Sequence, residues 1–411
     1  MPVLDAAIVG GGAAGLATAI FAARTRPDLR VGVFDGARVL GAKILISGGG
    51  RCNVSNAQVT AADFNGGHAQ AIARILRALS VADTVGFFRT MGVALHEEAL
   101  GKLFPDTHRA RTVLDALIGE CRLCGVAIHA GCRVIGVRAG PDGFLLDTSA
   151  GDVAARRVVL ATGGLSLPRT GSDGSGYAIA QRLGHTLVPT TPALVPLLLE
   201  GTLHEGLAGV SHDVRLVVAA AGVKPRRIAG RMLWTHVGVS GPAILDASRH
   251  LLRHRLQGRT AHLQASLVAP TFERADRLLL QATGERPRSS VAAVLAAHLP
   301  AAVAERIASL AHAEGLPLAE LRRETRRHVA HLASSLQLPV RESRGYNHAE
   351  VTAGGIDLAE IDPRTMASRG CRGLYLVGEV LDVDGRLGGF NFQWAWASAR
   401  VAGSALAASL A

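Results

Sequence analysis

Lysine is almost missing from this chain: only Lys43, Lys102 and Lys224 stand among its 44 basic residues, so the net charge of +11 rests on arginine. Aromatic residues are scarce at 4%, and Trp234, Trp394, Trp396 and Tyr346 are the rings near recognisable motifs. That leaves few platforms for stacking on nucleic-acid bases. The five cysteines, at 52, 121, 124, 132 and 371, are odd in number and scattered, which excludes a secreted disulfide framework. Cys121 and Cys124 form a CxxC pair with no second pair at zinc-like spacing. Their helical context, VLDALIGECRLCG, points to packed helix cysteines, with a redox pair as the alternative. No uncharged run other than Ala6 to Ala23 approaches a membrane span. Its glycine cluster, with no basic segment before it, reads as strand, turn and helix instead. The expectation is a soluble, cytoplasmic protein.

What is present is a folded chain of 411 residues, 48% hydrophobic and 19% charged, long enough for two or three domains. The charge is uneven. Residues 191 to 345 hold 20 Lys+Arg and 12 Asp+Glu, and the remainder nearly balances. This asymmetry points to a polyanionic partner such as nucleic acid; the alternative is a solvated basic surface without a ligand.

Residues 4 to 34 read as strand, tight turn, helix and strand, a βαβ unit. Residues 68 to 124 look mostly helical, broken near GVALHEEALGKLFPD, and short β-rich runs follow up to ARRVVLATGG. Three prolines in PTTPALVPLLLEG mark a boundary near 190. Short strands are expected across 195 to 268, and a small helical subdomain across 272 to 336. After about 346 the chain returns to glycine-rich loops, the strand GLYLVG and a final helix. The division expected is a nucleotide-binding domain split into 1–190 and 346–411, a β-rich insertion at 191–271 and 337–345, and a helical part at 272–336.

Gly10, Gly12 and Gly15 form GxGxxG between a strand and a helix. The first glycine permits the turn, the second admits a pyrophosphate, and the third lets the helix pack on the sheet, with Ala13 and Ala14 opening that helix. Asp35 follows at the end of the next strand, where an acid binds a ribose hydroxyl. An adenine dinucleotide site follows from this context, and the downstream segments select FAD. Ala161-Thr162-Gly163-Gly164 and Gly378-Glu379 each end a strand, and Gly388-Gly389 opens a helix. Glu379 suits ribityl hydroxyls, and backbone N–H groups from Gly388 through Phe390 to Asn391 suit the negative charge of a reduced ring.

The stretches IVGGGAAGLATA, KILISGGGRCNVSN, KLFPDTHRARTVLDAL, LATGGLSLPRTGSDGSGYAIAQRLGH, LWTHVGVSGPAIL, VTAGGI and LYLVGEVLDVDGRLGGFNFQWAWASA run from residue 6 to 403. In these the chain resembles the YhiN/BaiN-like flavoprotein family, which includes aminoacetone-oxidase-like proteins and ribosomal RNA dihydrouridine synthases. The resemblance implies an α/β fold: a split Rossmann-like FAD-binding domain with an inserted β-barrel domain and a small helical subdomain. One departure is Arg386-Leu387, where the family pattern suggests a small polar residue and threonine.

The resemblance also places Lys43, Gly48, Gly49, Gly50, Arg51, Cys52, Asn53 and Val134 along FAD. The three glycines would let backbone approach the cofactor, and Arg51 and Asn53 would donate hydrogen bonds to cofactor or substrate. Cys52 reads either as a proton donor or redox partner or as a small residue filling a tight loop. His236 and Ser240 of WTHVGVSGP are substrate-side candidates or parts of a structural turn, and His348 is a further candidate. The GSDGSG run at 171–176 reads as a loop near the flavin. With no second dinucleotide fingerprint, NAD(P)H is expected as a transient reductant. Arg322, Arg323, Arg326 and Arg327, with Lys224, Arg226, Arg227, Arg231, Arg249, Arg253, Arg255 and Arg259, are candidates for a phosphate-binding surface.

The function expected is reduction of a polarised C=C bond, the uracil C5=C6 bond in ribosomal RNA, with an acid protonating the neighbouring carbon. The competing expectations are a small-molecule oxidase or enone reductase and a flavin-binding protein without turnover.

Overall fold

The run LDAAIV has no polar residue after Asp5, so neither of its faces is suited to water. It forms the strand Leu4–Val9, buried along almost its whole length between neighbours on both sides. The computed structural model describes residues 3–410. These divide into two compact units, one comprising residues up to 190 together with those from 351 onward, the other residues 191–350.

The first unit is built on a parallel sheet in the order Ala127–Ala130, Val31–Asp35, Leu4–Val9, Val153–Leu160, Leu374–Leu376. This is a Rossmann-type α/β arrangement. The Val153–Leu160 strand has two partners on one edge. Its start pairs antiparallel with the hairpin strand Gly143–Thr148, and its end pairs parallel with Leu374–Leu376. The C-terminal ends of the central strands thereby lie together, at residues 9, 160 and 376. The helices Ala13–Thr25 and Phe390–Ala408 pack closely on each other. The expected break in the helical region forms the strands Leu95–Glu98 and Lys102–Pro105, which join Ser55–Asn56 in a small antiparallel sheet.

The second unit carries a seven-stranded antiparallel sheet. Its order is Leu336–Leu338, Ala261–Ser266, Ser211–Ala220, Val223–Thr235, Gly238–Ser240, Leu197–Leu199, Val340–Ser343. The two outer strands are consecutive in the chain, joined through Pro339 alone, so the sheet curls back toward its own start. Four helices, Phe272–Glu285, Val291–Leu295, Ala301–Leu310 and Arg323–Ser335, follow the helical spacing read from the sequence. A fifth, Pro242–Leu256, interrupts the run expected to be short strands. Pro242 at its first turn and buried Ala243, Ile244, Ala247 and Leu251 are the helix signals there. No helix among the described residues is long and apolar enough to cross a membrane.

Candidate cofactor site

The turn after the first strand is shaped by close backbone contacts. Gly10 has φ +109°, and a Cβ on it would lie 2.4 Å from the Ala161 carbonyl oxygen. The turn therefore rests directly on Ala161 and Thr162. Gly12 differs: a Cβ there meets nothing within 4 Å. That open space lies at the N-cap of the Ala13–Thr25 helix, which has no side-chain cap and no acid in its first turn. First-turn N–H groups, including those of Ala13, Ala14 and Gly15, have no carbonyl partner within a helix, so this end favours an anion. Asp35 fixes the turn by accepting from the Gly11 N–H (2.7 Å) and the Ala37 N–H (2.7 Å). Each oxygen keeps an acceptor position for a hydroxyl. Gly36 lies 3.2 Å, by its hypothetical Cβ, from Arg133, so the segment entering buried Val134 passes beside the Asp35 turn.

The stretch KILISGGG is not the loop expected. Residues Ala42–Gly50 start as a helix that breaks at Ser47, after which Gly48 and Gly49 take left-handed conformations. From the helical part, Lys43 donates to Glu379 (2.7 Å) and to the Ser166 hydroxyl (2.8 Å). The other Glu379 oxygen accepts from Ser166 (2.6 Å) and the Thr352 N–H (3.0 Å). The Thr352 hydroxyl in turn accepts from the N–H groups of Leu165 and Ser166. Among the described residues, one Lys43 N–H and one acceptor position on Glu379 remain unused. Gly164 and Gly378 allow this junction: a Cβ on the first would meet Thr352 and Glu379, and one on the second would meet Ala14. Gly163, at φ +71°, packs on Ser172. Ser166 and Thr352 were not singled out from the sequence, although both lie inside quoted motifs.

Beyond its glycines, this stretch lies against the start of the last helix. The Asn56 amide donates to the Gly388 carbonyl (3.1 Å), and a Cβ on Gly389 would lie 2.3 Å from the Ser55 carbonyl oxygen. The Trp396 indole N–H donates to the Val54 carbonyl (2.9 Å). Gln393 ties Ser55, Thr84 and the Leu79 carbonyl together. The Asn391 side chain is spent on both backbone groups of Gly385, so this end offers the first-turn N–H groups of Phe390 and Asn391 rather than that amide. The Asn53 amide oxygen is buried without a hydrogen-bond partner, an acceptor that suits a donor on a bound ligand.

These residues of the first unit come together in a form that fits FAD. An open helix N-terminus suits a pyrophosphate, Asp35 a ribose, the Lys43–Glu379 pair polyol hydroxyls, and the last helix start a reduced ring. The catalytic candidates behave differently. Arg51 pairs with Glu98 (2.7 Å) and lies over the Phe104 ring at 4.1 Å. Cys52 is fully buried at φ +63°. Burial pushes its thiol up to about 12, against a weaker opposing hydrogen bond with Ser47. His236 belongs to the second unit, exposed in the two-residue turn between paired Thr235 and Gly238. In GSDGSG, Asp173 accepts from the Ser175 N–H and pairs with Arg133, so a carboxylate already occupies that helix start. Cys121 and Cys124 are free thiols on the Ala110–Leu123 helix and its cap.

Comparison with known proteins adds the following. Residues 4–405 match the HI0933-like protein Rossmann domain family. The chain is 35% identical over 398 residues to a ribosomal RNA dihydrouridine synthase of Escherichia coli, covering 96% of each. It is 32% identical over 403 residues to a 3-dehydro-bile acid delta(4,6)-reductase of Clostridium scindens, covering 97% of this chain and 98% of the relative. Among solved structures, a point-substituted FrdA chain of E. coli quinol fumarate reductase aligns over all of this chain and 70% of its own, at TM-score 0.53 and 17% identity. That likeness concerns the fold.

Proposed function

The chain belongs to the HI0933-like Rossmann family and is an FAD-dependent oxidoreductase, and we propose that it reduces uridine to dihydrouridine in ribosomal RNA in the cytoplasm. Each double bond reduced would consume one NAD(P)H and one proton. Bound FAD supplies the two-electron transfer. The chain's own residues hold and orient. Gly12 and the first-helix N–H groups take the pyrophosphate, Asp35 the ribose, and Lys43 with Glu379 the ribityl hydroxyls. The Phe390 and Asn391 N–H groups take the pyrimidine end of the ring. We assign Cys52 to packing, because a fully buried neutral thiol is poorly placed to exchange protons with a substrate. His236, an exposed imidazole in a motif turn, is the proton donor we carry forward.

The observation that carries the RNA reading is the 35% identity, over nearly both full lengths, to a ribosomal RNA dihydrouridine synthase. The distribution of charge supports it and narrows the expected surface. Arg326 is paired with Asp276 (2.8 Å), Arg327 lies over Phe272, and Arg255 donates to the Val340 and Arg341 carbonyls. These three have structural work. By contrast Lys224, Arg226 and Arg227 are exposed on the long Val223–Thr235 strand. Burial, with Arg249, Arg226 and His254 nearby, pushes the His250 imidazole down to about 3. The strand thus brings Arg226 near Arg249 of the Pro242–Leu256 helix, and the exposed Arg231, Arg259, Arg322 and Arg323 are further candidates. We place the phosphate contacts there.

One observation favours a small-molecule enone instead. Trp234, Trp394 and Trp396 are almost fully buried with their N–H groups hydrogen-bonded, so they are unavailable for stacking on bases. The relative that reduces bile acids matches this chain over a similar length. The test is anaerobic incubation of the yellow protein with NAD(P)H and unmodified ribosomal RNA, read by mass spectrometry of nucleosides. Dihydrouridine at one site supports the proposal; unchanged RNA alongside reduction of a steroid enone overturns it.

A further inference from the structure

His96 and Glu98 are two residues apart on the strand Leu95–Glu98, so their side chains leave the same face. The partner strand Lys102–Pro105 turns at its end and brings His108 to that face, with φ +50° at His108. A non-glycine residue held there signals a conformation imposed by its surroundings. His96 Nε2 lies 3.4 Å from Glu98 Oε1, and His108 Nδ1 lies 3.8 Å from the same oxygen. All three ligand atoms fall within 4.8 Å of one another. Ligands about 2.0–2.1 Å from a tetrahedral ion stand about 3.3 Å apart, so inward shifts of up to about 1.5 Å close the set.

The placement of the two His96 ring nitrogens points in the same direction. His96 Nδ1 is 3.0 Å from the Asp106 carboxylate. Nδ1 thus faces the Asp106 carboxylate while Nε2 faces Glu98. A carboxylate behind an imidazole that presents its other nitrogen is also the arrangement that orients histidine ligands of zinc. Arg51 meets Glu98 Oε1 as well (2.7 Å). Among the described residues the second Glu98 oxygen carries no hydrogen bond, so the guanidinium has an acceptor to move to.

We propose that His96, Glu98 and His108 form a binding site for one zinc-class divalent cation, with Asp106 orienting His96 and water completing the fourth position. Two imidazoles and one carboxylate suit zinc better than magnesium or calcium, which prefer all-oxygen sets. The bound ion would clamp this hairpin and, through Glu98, hold Arg51 and the loop that carries it.

The experiment is calorimetric titration of Zn²⁺ into the chelator-treated, FAD-loaded full chain, beside His108→Ala, Glu98→Gln, Asp106→Asn and a Cys121→Ser/Cys124→Ser control. The expected result is one ion per chain, retained in the cysteine control and lost in His108→Ala and Glu98→Gln. Asp106→Asn should bind about 10- to 100-fold more weakly. His108 is half exposed, and near-native unfolding of its variant checks that loss of binding is not loss of fold. No uptake by the native chain overturns the proposal. So does uptake that survives both ligand variants and vanishes with the cysteines.

Discussion

Gly10 and Gly12 are two residues apart in one turn, yet the structure gives them opposite consequences on substitution. In Gly12→Ala the new methyl meets nothing within 4 Å, and the backbone, at φ −85°, already suits alanine. Restricting the unfolded chain stabilises by about 0.4–1 kcal/mol. Replacing an N-cap glycine with alanine costs a similar amount, about 0.5–1 kcal/mol, so the stability of the cofactor-free chain should barely move. The same methyl fills the space assigned to the pyrophosphate. FAD affinity should fall at least tenfold, about 1.4 kcal/mol. In Gly10→Ala the methyl would sit 2.4 Å from a backbone oxygen at φ +109°. The left-handed backbone alone costs about 1–2 kcal/mol, and relieving the overlap requires the strand ends to part. The cofactor-free protein should therefore unfold several degrees lower. The assay is thermal unfolding of both variants without FAD, then flavin titration followed by fluorescence quenching. Equal destabilisation of the two apo variants, or unaltered FAD affinity in Gly12→Ala, would overturn these assignments.

Other contacts make further predictions. Glu379→Gln should weaken FAD binding, read by flavin titration, and leave Lys43 without its ion-pair partner; thermal unfolding of the cofactor-free Lys43→Met/Glu379→Gln pair should then recover part of any loss in stability. Cys52→Ala should keep its pH–rate profile, and a profile that loses an ionisation would return Cys52 to the chemistry. Burial raises the Cys52 and Cys121 thiols to about 12, so the unfolded chain ionises first. Stability contributed by each is intact below about pH 9 and declines above it, by at most about 1.4 kcal/mol per pH unit; the alkaline slope of urea unfolding should flatten in Cys121→Ala. Arg226→Ala/Arg227→Ala should lessen the salt dependence of RNA binding by about two contacts. Arg326→Ala should leave that dependence alone and cost about 1–2 kcal/mol of stability, below the about 3–5 of a fully buried pair, because both partners keep some exposure.

The parts legible in the sequence are those set by local rules. The βαβ start, the helices of 272–336 and the glycine turn follow from periodicity and from φ constraints on a few residues. The parts not legible depend on partners distant in the chain. Lys43, Ser166, Thr352 and Glu379 span more than 300 residues, and only tertiary contact joins them. KILISGGG contains helix formers followed by glycines, and the sequence does not say where the helix stops. Cys52 and Arg51 carry reactive side chains in a quoted motif, but burial and the Glu98 and Phe104 contacts decide what they do. The arginines divide likewise: one residue type, spent on Asp276, Phe272 or carbonyl groups in some places and left on the surface in others.

We propose that this flavoprotein acts on ribosomal RNA. The decisive measurement maps dihydrouridine in ribosomal RNA from cells with the gene, without it, and with a native or a Gly12→Ala copy restored. The expected result is one site whose dihydrouridine disappears with the gene, returns with the native copy and stays low with the variant. An unchanged dihydrouridine profile after deletion, in cells whose ribosomal RNA carries the modification, would contradict it.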